Sequence, residues 1–245
     1  NVLVPLDIIF LDDAGQVVAA LQATLLGSPP NPAGTTGIER ERPTSNGDAY
    51  ASYLRGRHLL NMLTFDGMSR ALTEFQKAID LDGEFALAYA GLAETYLLMV
   101  DYGFTSSHEA DPLAMAASER ALTLDPDLSE ALAMSALVMM SDGNADMDEA
   151  TALLERAIKS NPNNSRALVV LSRYYARQDR HDDAERARMR AYQVDPLSPI
   201  VLGHLAYAYK INGADDQSSR YMEELAAVDP GSAFTYTQRS DIAYY

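Results

Sequence analysis

Residues 165–196 read SRALVVLSRYYARQDRHDDAERARMRAYQVDP, and residues 197–230 follow as LSPIVLGHLAYAYKINGADDQSSRYMEELAAVDP. The two stretches carry one pattern. Leu168, Leu171, Ser172, Tyr175, Ala184, Ala191 and Pro196 return 34 residues later as Leu202, Leu205, Ala206, Tyr209, Ser218, Leu225 and Pro230. Large and small residues at spacings of three and four mark one face of a helix, and a Pro at the end of each stretch stops it. Two such helices per 34 residues make a hairpin that cannot bury its apolar face alone, so it has to stack on copies of itself.

Working outward, five helix-ending signals punctuate the chain: Asp82-Gly83, Asp125-Pro126, Asn161-Pro162, Asp195-Pro196 and Asp229-Pro230, at intervals of 43, 36, 34 and 34. Before each comes a helix with small residues where it must approach its neighbour: Ala71 and Ala78, Ala114 and Ala121, Ala150 and Ala157, Ala184 and Ala191, then Ser218 and Leu225. A larger residue stands between them in three units (Phe75, Leu154, Met222). Ser118 and Arg188 take its place in units two and four, which predicts looser packing there. The opening helices repeat Tyr89, Leu92, Ala93, Tyr96 and Leu132, Ser135, Ala136, Met139.

These motifs resemble the tetratricopeptide repeat over Asp48–Tyr245. The resemblance implies an all-α, right-handed superhelical solenoid of antiparallel helix hairpins, with about five repeats in residues 47–245 and a last helix from Ser232. It also implies protein or peptide binding on the concave side, where the first helix of each unit is exposed. A finer resemblance lies in Ala49–Asn61 (AYASYLRGRHLLN) and Phe85–Ala93, which are similar to the first repeat of multidomain bacterial regulators. In those proteins the repeats follow a TolB-like domain, itself behind an adenylate cyclase or winged-helix domain. Asp7–Leu21 resembles the helix that closes the TolB-like region. By that resemblance the fragment is a cytoplasmic docking or sensing part, with any catalytic or DNA-binding portion upstream of Asn1; the periplasm is the alternative compartment.

The amino-terminal section divides at residues 27 and 46. Residues 1–27 read as a remnant plus a helix over Asp12–Leu26, capped by Asp12 or Asp13, with Val17, Val18, Leu21 and Leu25 on one face and Gly27 as the stop. Residues 28–46, with Pro29, Pro30, Pro32 and Pro43, read as a linker. The helix's apolar stripe needs cover, either from the first repeat or from another chain. The second option makes self-association, bringing two upstream domains together, the rival function. The chain opens at Asn1 without a Met or a signal-like pattern, which favours a piece of a longer polypeptide.

Composition narrows the chemistry. The absence of Cys removes disulfides, thiol nucleophiles and Cys-based zinc sites, and a net charge of −16 opposes direct nucleic-acid binding. No apolar run reaches the roughly 20 residues that span a bilayer. Phosphate-cradling glycine loops, GxSxG and HExxH are missing, so no catalytic residue, metal or cofactor is assigned. His108-Glu109 with Asp111 reads as loop polarity, and Asn163-Asn164-Ser165 as a helix cap.

The groove candidates follow from helical spacing. Unit four presents Arg166, Val169 or Val170 (Val170 preferred), Arg173 and Arg177; unit five presents Ile200, His204, Tyr207 and Lys210 or Ile211. Units two and three present Leu87, Ala90, Glu94, Leu97, Glu130, Ala133, Leu137 and Met140. Ser165–Asn212 carries eight Lys/Arg against five Asp/Glu, a net +3 that leaves −19 elsewhere. Guanidinium groups on one stripe suit carboxylate capture, so an acidic peptide segment or a chain-terminal carboxylate held by Arg166, Arg173 and Arg177 with Tyr207 and Lys210 is one reading. Pairing of these arginines with acidic side chains of neighbouring repeats, such as Asp179 or Asp182, is the other. Val100–Pro112 reads as an insertion of about nine residues between the helices of unit two; its Tyr102 and Phe104 either contact a partner or fold back over the helix ends.

Overall fold

The computed structural model describes residues 43–141, 147–228 and 230, together with the backbone of two strands, β1 (Leu6–Leu11) and β2 (Val17–Ala23). Among the described residues ten helices build the array: α1 (Gly47–Leu60), α2 (Phe65–Leu81), α3 (Ala86–Asp101), α4 (Ser107–Leu124) and α5 (Ser129–Ser141), then α6 (Met147–Ser160), α7 (Ser165–Arg177), α8 (His181–Val194), α9 (Pro199–Ile211) and α10 (Asp215–Val228). Each odd helix pairs with the even helix that follows, giving the five expected hairpins. Each even helix also packs on the next odd one, and α1, α3, α5, α7 and α9 pack on one another in order.

The expected joints are where the core is tightest. Ala71, Ala78, Ala114, Ala121, Ala150, Ala157, Ala184, Ala191 and Leu225 are wholly buried. Ser118, where looser packing was expected, is also fully buried and gives its hydroxyl to the Ala114 carbonyl at 2.8 Å. The tightest approach surrounds Phe75 of α2, whose ring lies between Gly56 of α1 and Gly91 of α3. A Cβ at either glycine would stand 2.7 or 2.6 Å from it, so only a residue without a side chain fits.

The unit ends repeat one hydrogen-bond pattern. The backbone N–H groups of Asp82, Asp125, Asn161 and Asp195 donate to the carbonyls of Ala78, Ala121, Ala157 and Ala191 at 2.8–3.0 Å. The side chains of Asp82, Asp125 and Asn161 each accept from the backbone N–H two residues on. The small residue that lets helices cross thus also has its carbonyl capped by the turn residue, and the sequence couples the two. Inside the hairpins, Leu63, Gly103, Asp179 and Gly213 adopt positive φ where one helix reverses into the next.

Two further expectations fail. Residues 17–23 are not helical: β2 pairs antiparallel with β1, Ile9 opposite Ala20 and Phe10 opposite Ala19. Val17 and Val18, like Ile8 and Ile9, are β-branched and favour extended backbone, and an apolar run this short satisfies either period. The self-association reading loses the helix on which it rested. The second concerns Val100–Pro112, which is no long loop. Helix α3 runs to Asp101 and α4 starts at Ser107, so the extra residues lengthen both helices. Ser106 caps α4 in a reciprocal capping box with Glu109, and Pro112 is carried inside the helix. The linker's last residues belong to the array, where Asn46 caps α1 and the Thr44 hydroxyl donates to Asp82. The expected last helix from Ser232 lies outside the described residues.

Candidate functional site

Helix α7 forms the floor of a groove on the face built from the odd helices. The groove encloses a cavity of about 590 Å³. Leu97 and Asp101 of α3, Leu137 and Met140 of α5, and Ile200, His204, Tyr207 and Ile211 of α9 form its walls, with Val169 and Ala176 on the floor. Four arginines, Arg166, Arg173, Arg177 and Arg188, share this lining with two carboxylates, Asp101 and Asp111. A smaller cavity of about 150 Å³ adjoins it, with Arg166 and Ile200 lining both.

Two of these four cations are answered from two repeats away. Arg173 holds Asp101 through two guanidinium hydrogen bonds of 2.9 and 3.3 Å. Glu94, only 4% exposed, accepts from Arg57 at 2.8 Å and lies 3.3 Å from Nε of Arg166. Arg177 donates to the Met140 carbonyl, and Arg188 donates to Glu185 at 2.7 Å beneath the Tyr209 ring. Internal pairing therefore occurs, but the partners are Glu94 and Asp101 rather than Asp179 or Asp182. The acidic half of the inner face meets the basic half across the curve of the array.

His204 sits in the resulting positive field. Burial pushes its imidazole pKa down to about 3, and the nearby Arg173, Arg188 and Arg166 push the same way, so the ring is neutral at pH 7. The Ser172 hydroxyl donates to the Val169 carbonyl and lies 2.8 Å from Nε2 of His204. With its single proton so used, the hydroxyl accepts from the ring, which assigns the ring proton to Nε2.

Of the residues singled out by spacing, Arg166, Arg173, Arg177, His204, Tyr207, Leu137, Met140 and Tyr102 come together on this one cavity. Leu87, Ala90, Glu94, Glu130 and Ala133 of units two and three do not line it, and neither do Val170, Lys210 and Phe104. Val170 is fully buried on the packing side and its neighbour Val169 takes the groove position, because one residue is a turn of about 100° around a helix. Lys210 reaches Asp215 at 2.9 Å. Phe104 folds back against Phe65 and Tyr102, with ring centroids 5.7 and 6.2 Å away. Spacing missed Asp101, at the end of its helix, and Arg188, which belongs to an even helix and reaches inward where the pattern calls for an apolar residue.

Comparison with known proteins bears on this architecture. A tetratricopeptide-repeat family model matches residues 143–187. A thermophilic protein of Thermus thermophilus with this repeat superposes with a TM-score of 0.57 at 16% identity, over 80% of this chain and 100% of its own. The helical array has the fold of a tetratricopeptide-repeat solenoid. The human IFIT1 dimer, solved with m7Gppp-AAAA, matches 77% of this chain and 43% of its own with a TM-score of 0.55 and 16% identity. In sequence, the cytochrome c-type biogenesis protein CycH of Pseudomonas aeruginosa is 34% identical over 92 residues. That match takes in 36% of this chain and 23% of CycH. Among the described residues no helix is long and apolar enough to cross a membrane.

Proposed function

We propose that this tetratricopeptide solenoid is a docking module, and that a peptide or protein segment lies in the groove along α7. The observation that carries this reading is the 590 Å³ concavity itself, in which an apolar floor and walls are set among four guanidinium groups. Sites that bind small or extended ligands have this size and mix. The excess of arginine over aspartate in the lining favours a segment with acidic side chains, and the chain's −16 charge disfavours nucleic acid. The ion pairs to Glu94 and Asp101 leave the reading intact, because they hold the arginines at fixed positions. The resemblance of Ala49–Asn61 to the repeats of bacterial regulators supports a place in a larger signalling or transcription protein. The partial likeness to a cytochrome c biogenesis protein supports an assembly role instead.

Selection of a random peptide display library on the whole chain, wild type and Ala176→Arg in parallel, tests the groove. The arginine would fill the floor while leaving every described hydrogen bond of the site in place. Peptides enriched by the wild type and lost on Ala176→Arg are the expected result. Equal recovery on both proteins would move binding elsewhere on the array.

A further inference from the structure

We infer that Arg166 forms a carboxylate-binding subsite at the junction of the two cavities, one that receives an acidic group carried on an apolar body. The inference rests on the groove reading above and gives its ligand a chemistry.

Arg166 is unlike the other arginines of the groove. Its side chain is about nine-tenths buried, with 10% exposure, yet neither Nε nor Nη2 has a hydrogen-bond partner. Its counterion is shared: Glu94 Oε2 accepts from Arg57 at 2.8 Å, while Oε1, 3.3 Å from Nε of Arg166, has no hydrogen bond of its own. Two guanidinium groups therefore divide one carboxylate, and one edge of Arg166 is unmet. A buried donor without an acceptor is destabilising, and more so when charged, so an acceptor that enters here gains what the fold has left unmade.

The surroundings fix the kind of acceptor. Arg173, Arg177 and Arg188 already have oxygen partners; Arg188 keeps one buried donor, Nε, unmet, whereas Arg166 keeps two, Nε and Nη2, on one edge. The arginines that add to burial in keeping His204 neutral include Arg166 itself, on the same wall. Glu94 and Asp195 border the smaller cavity, which suits a monoanion better than a doubly charged phosphate. A carboxylate presents two coplanar oxygens that match the guanidinium edge. Val169 and Ile200 beside it are apolar, so the group that carries the carboxylate is apolar too.

The shared chemistry admits two sources, an acidic side chain of a docked segment or a free carboxylic acid, and calorimetry with simple probes separates them. The probes are hexanoate, hexanol, hexylamine and hexyl phosphate, and blocked leucine-rich hexapeptides that differ only as Glu or Gln. The intact chain is expected to prefer hexanoate to hexanol and hexylamine, and the Glu peptide to the Gln peptide, by about tenfold, a difference of 1.4 kcal/mol. Arg166→Gln, which leaves Arg57 to hold Glu94, is expected to abolish both preferences. Glu94→Gln is expected to lower Tm and to be rescued by hexanoate more than wild type is, a gain that no merely damaged variant would show. Binding of hexanoate without the Glu peptide assigns the site to a free acid, supports the subsite and removes the peptide reading. Preferences unchanged in Arg166→Gln, or hexyl phosphate bound more tightly than hexanoate, would overturn the inference. Library peptides recovered equally on wild type and Arg166→Gln, without acidic residues, would sink the subsite and leave the docking groove standing.

Discussion

Arg173 of α7 grips Asp101 of α3 across 72 residues of sequence, joining the second repeat to the fourth and passing over the third. In a solenoid each repeat is ordinarily stabilised by itself and its immediate neighbours. Here the inner face adds a direct link between second neighbours, repeated by Arg166 and Glu94.

That link is measurable. Both partners are partly exposed, with side chains at 35% and 22%, so screening limits the pair even in its two-bond geometry. Urea unfolding of Arg173→Gln, Asp101→Asn and the double variant is expected to give a coupling of about 1 kcal/mol that shrinks at high salt. Additive single effects would show that the two groups are merely adjacent.

The Phe75 joint gives a steric prediction. Gly91→Ala would raise helix propensity by up to about 1 kcal/mol, but its methyl would stand 2.6 Å from the ring. Overpacking of about 1–3 kcal/mol is expected to win, so the variant lowers the urea midpoint. Gly91→Ala with Phe75→Leu is expected to recover part of the loss, since the smaller side chain makes room.

Asn164 does two jobs at the start of α7. Its side-chain oxygen caps the Ala167 N–H at 3.0 Å, and its amide donates to the buried Ser129 hydroxyl at 2.8 Å, which in turn donates to the Ala157 carbonyl. Loss of both bonds in Asn164→Ala is expected to destabilise by about 1–2 kcal/mol, whereas exposed Asn163→Ala changes little. Thermal unfolding of the two variants side by side checks this.

His204 predicts the acid side of the stability curve. Its folded pKa, about 3, lies below the ordinary 6.5, so between these values the unfolded chain takes up a proton that the folded chain refuses. The contribution of His204 to stability is intact above pH 6.5 and declines as pH falls through that window toward 3. His204→Gln is expected to flatten the slope of the urea midpoint between pH 6.5 and 4; an unchanged slope would mean that the ring protonates in place.

The hairpins were legible because one helical period serves both packing and sequence: Leu168 to Leu202 and Ala184 to Ser218 are the same positions in consecutive copies. Arg166, Arg173 and Arg177 were legible for the same reason, since the face opposite a known packing face follows from angle alone. Choosing Val170 over Val169 shows the limit, a single residue of rotation. The partners Glu94 and Asp101 were beyond reach, because which second neighbours meet depends on how far the stack rotates per repeat, and no residue spacing records that. The strand at Val17–Ala23 was lost for a different reason: in so short an apolar run, what pairs beside it decides between helix and strand.

The links between second neighbours also bear on how such an array grows. Solenoids lengthen when a unit is duplicated, and most positions in the stack tolerate the copy. Here a duplicate of the third repeat would carry Glu94 and Asp101 out of reach of Arg166 and Arg173, stranding charges on the inner wall. Extension at either end leaves them paired, so the interior of this array is closed to insertion while its termini stay open to it.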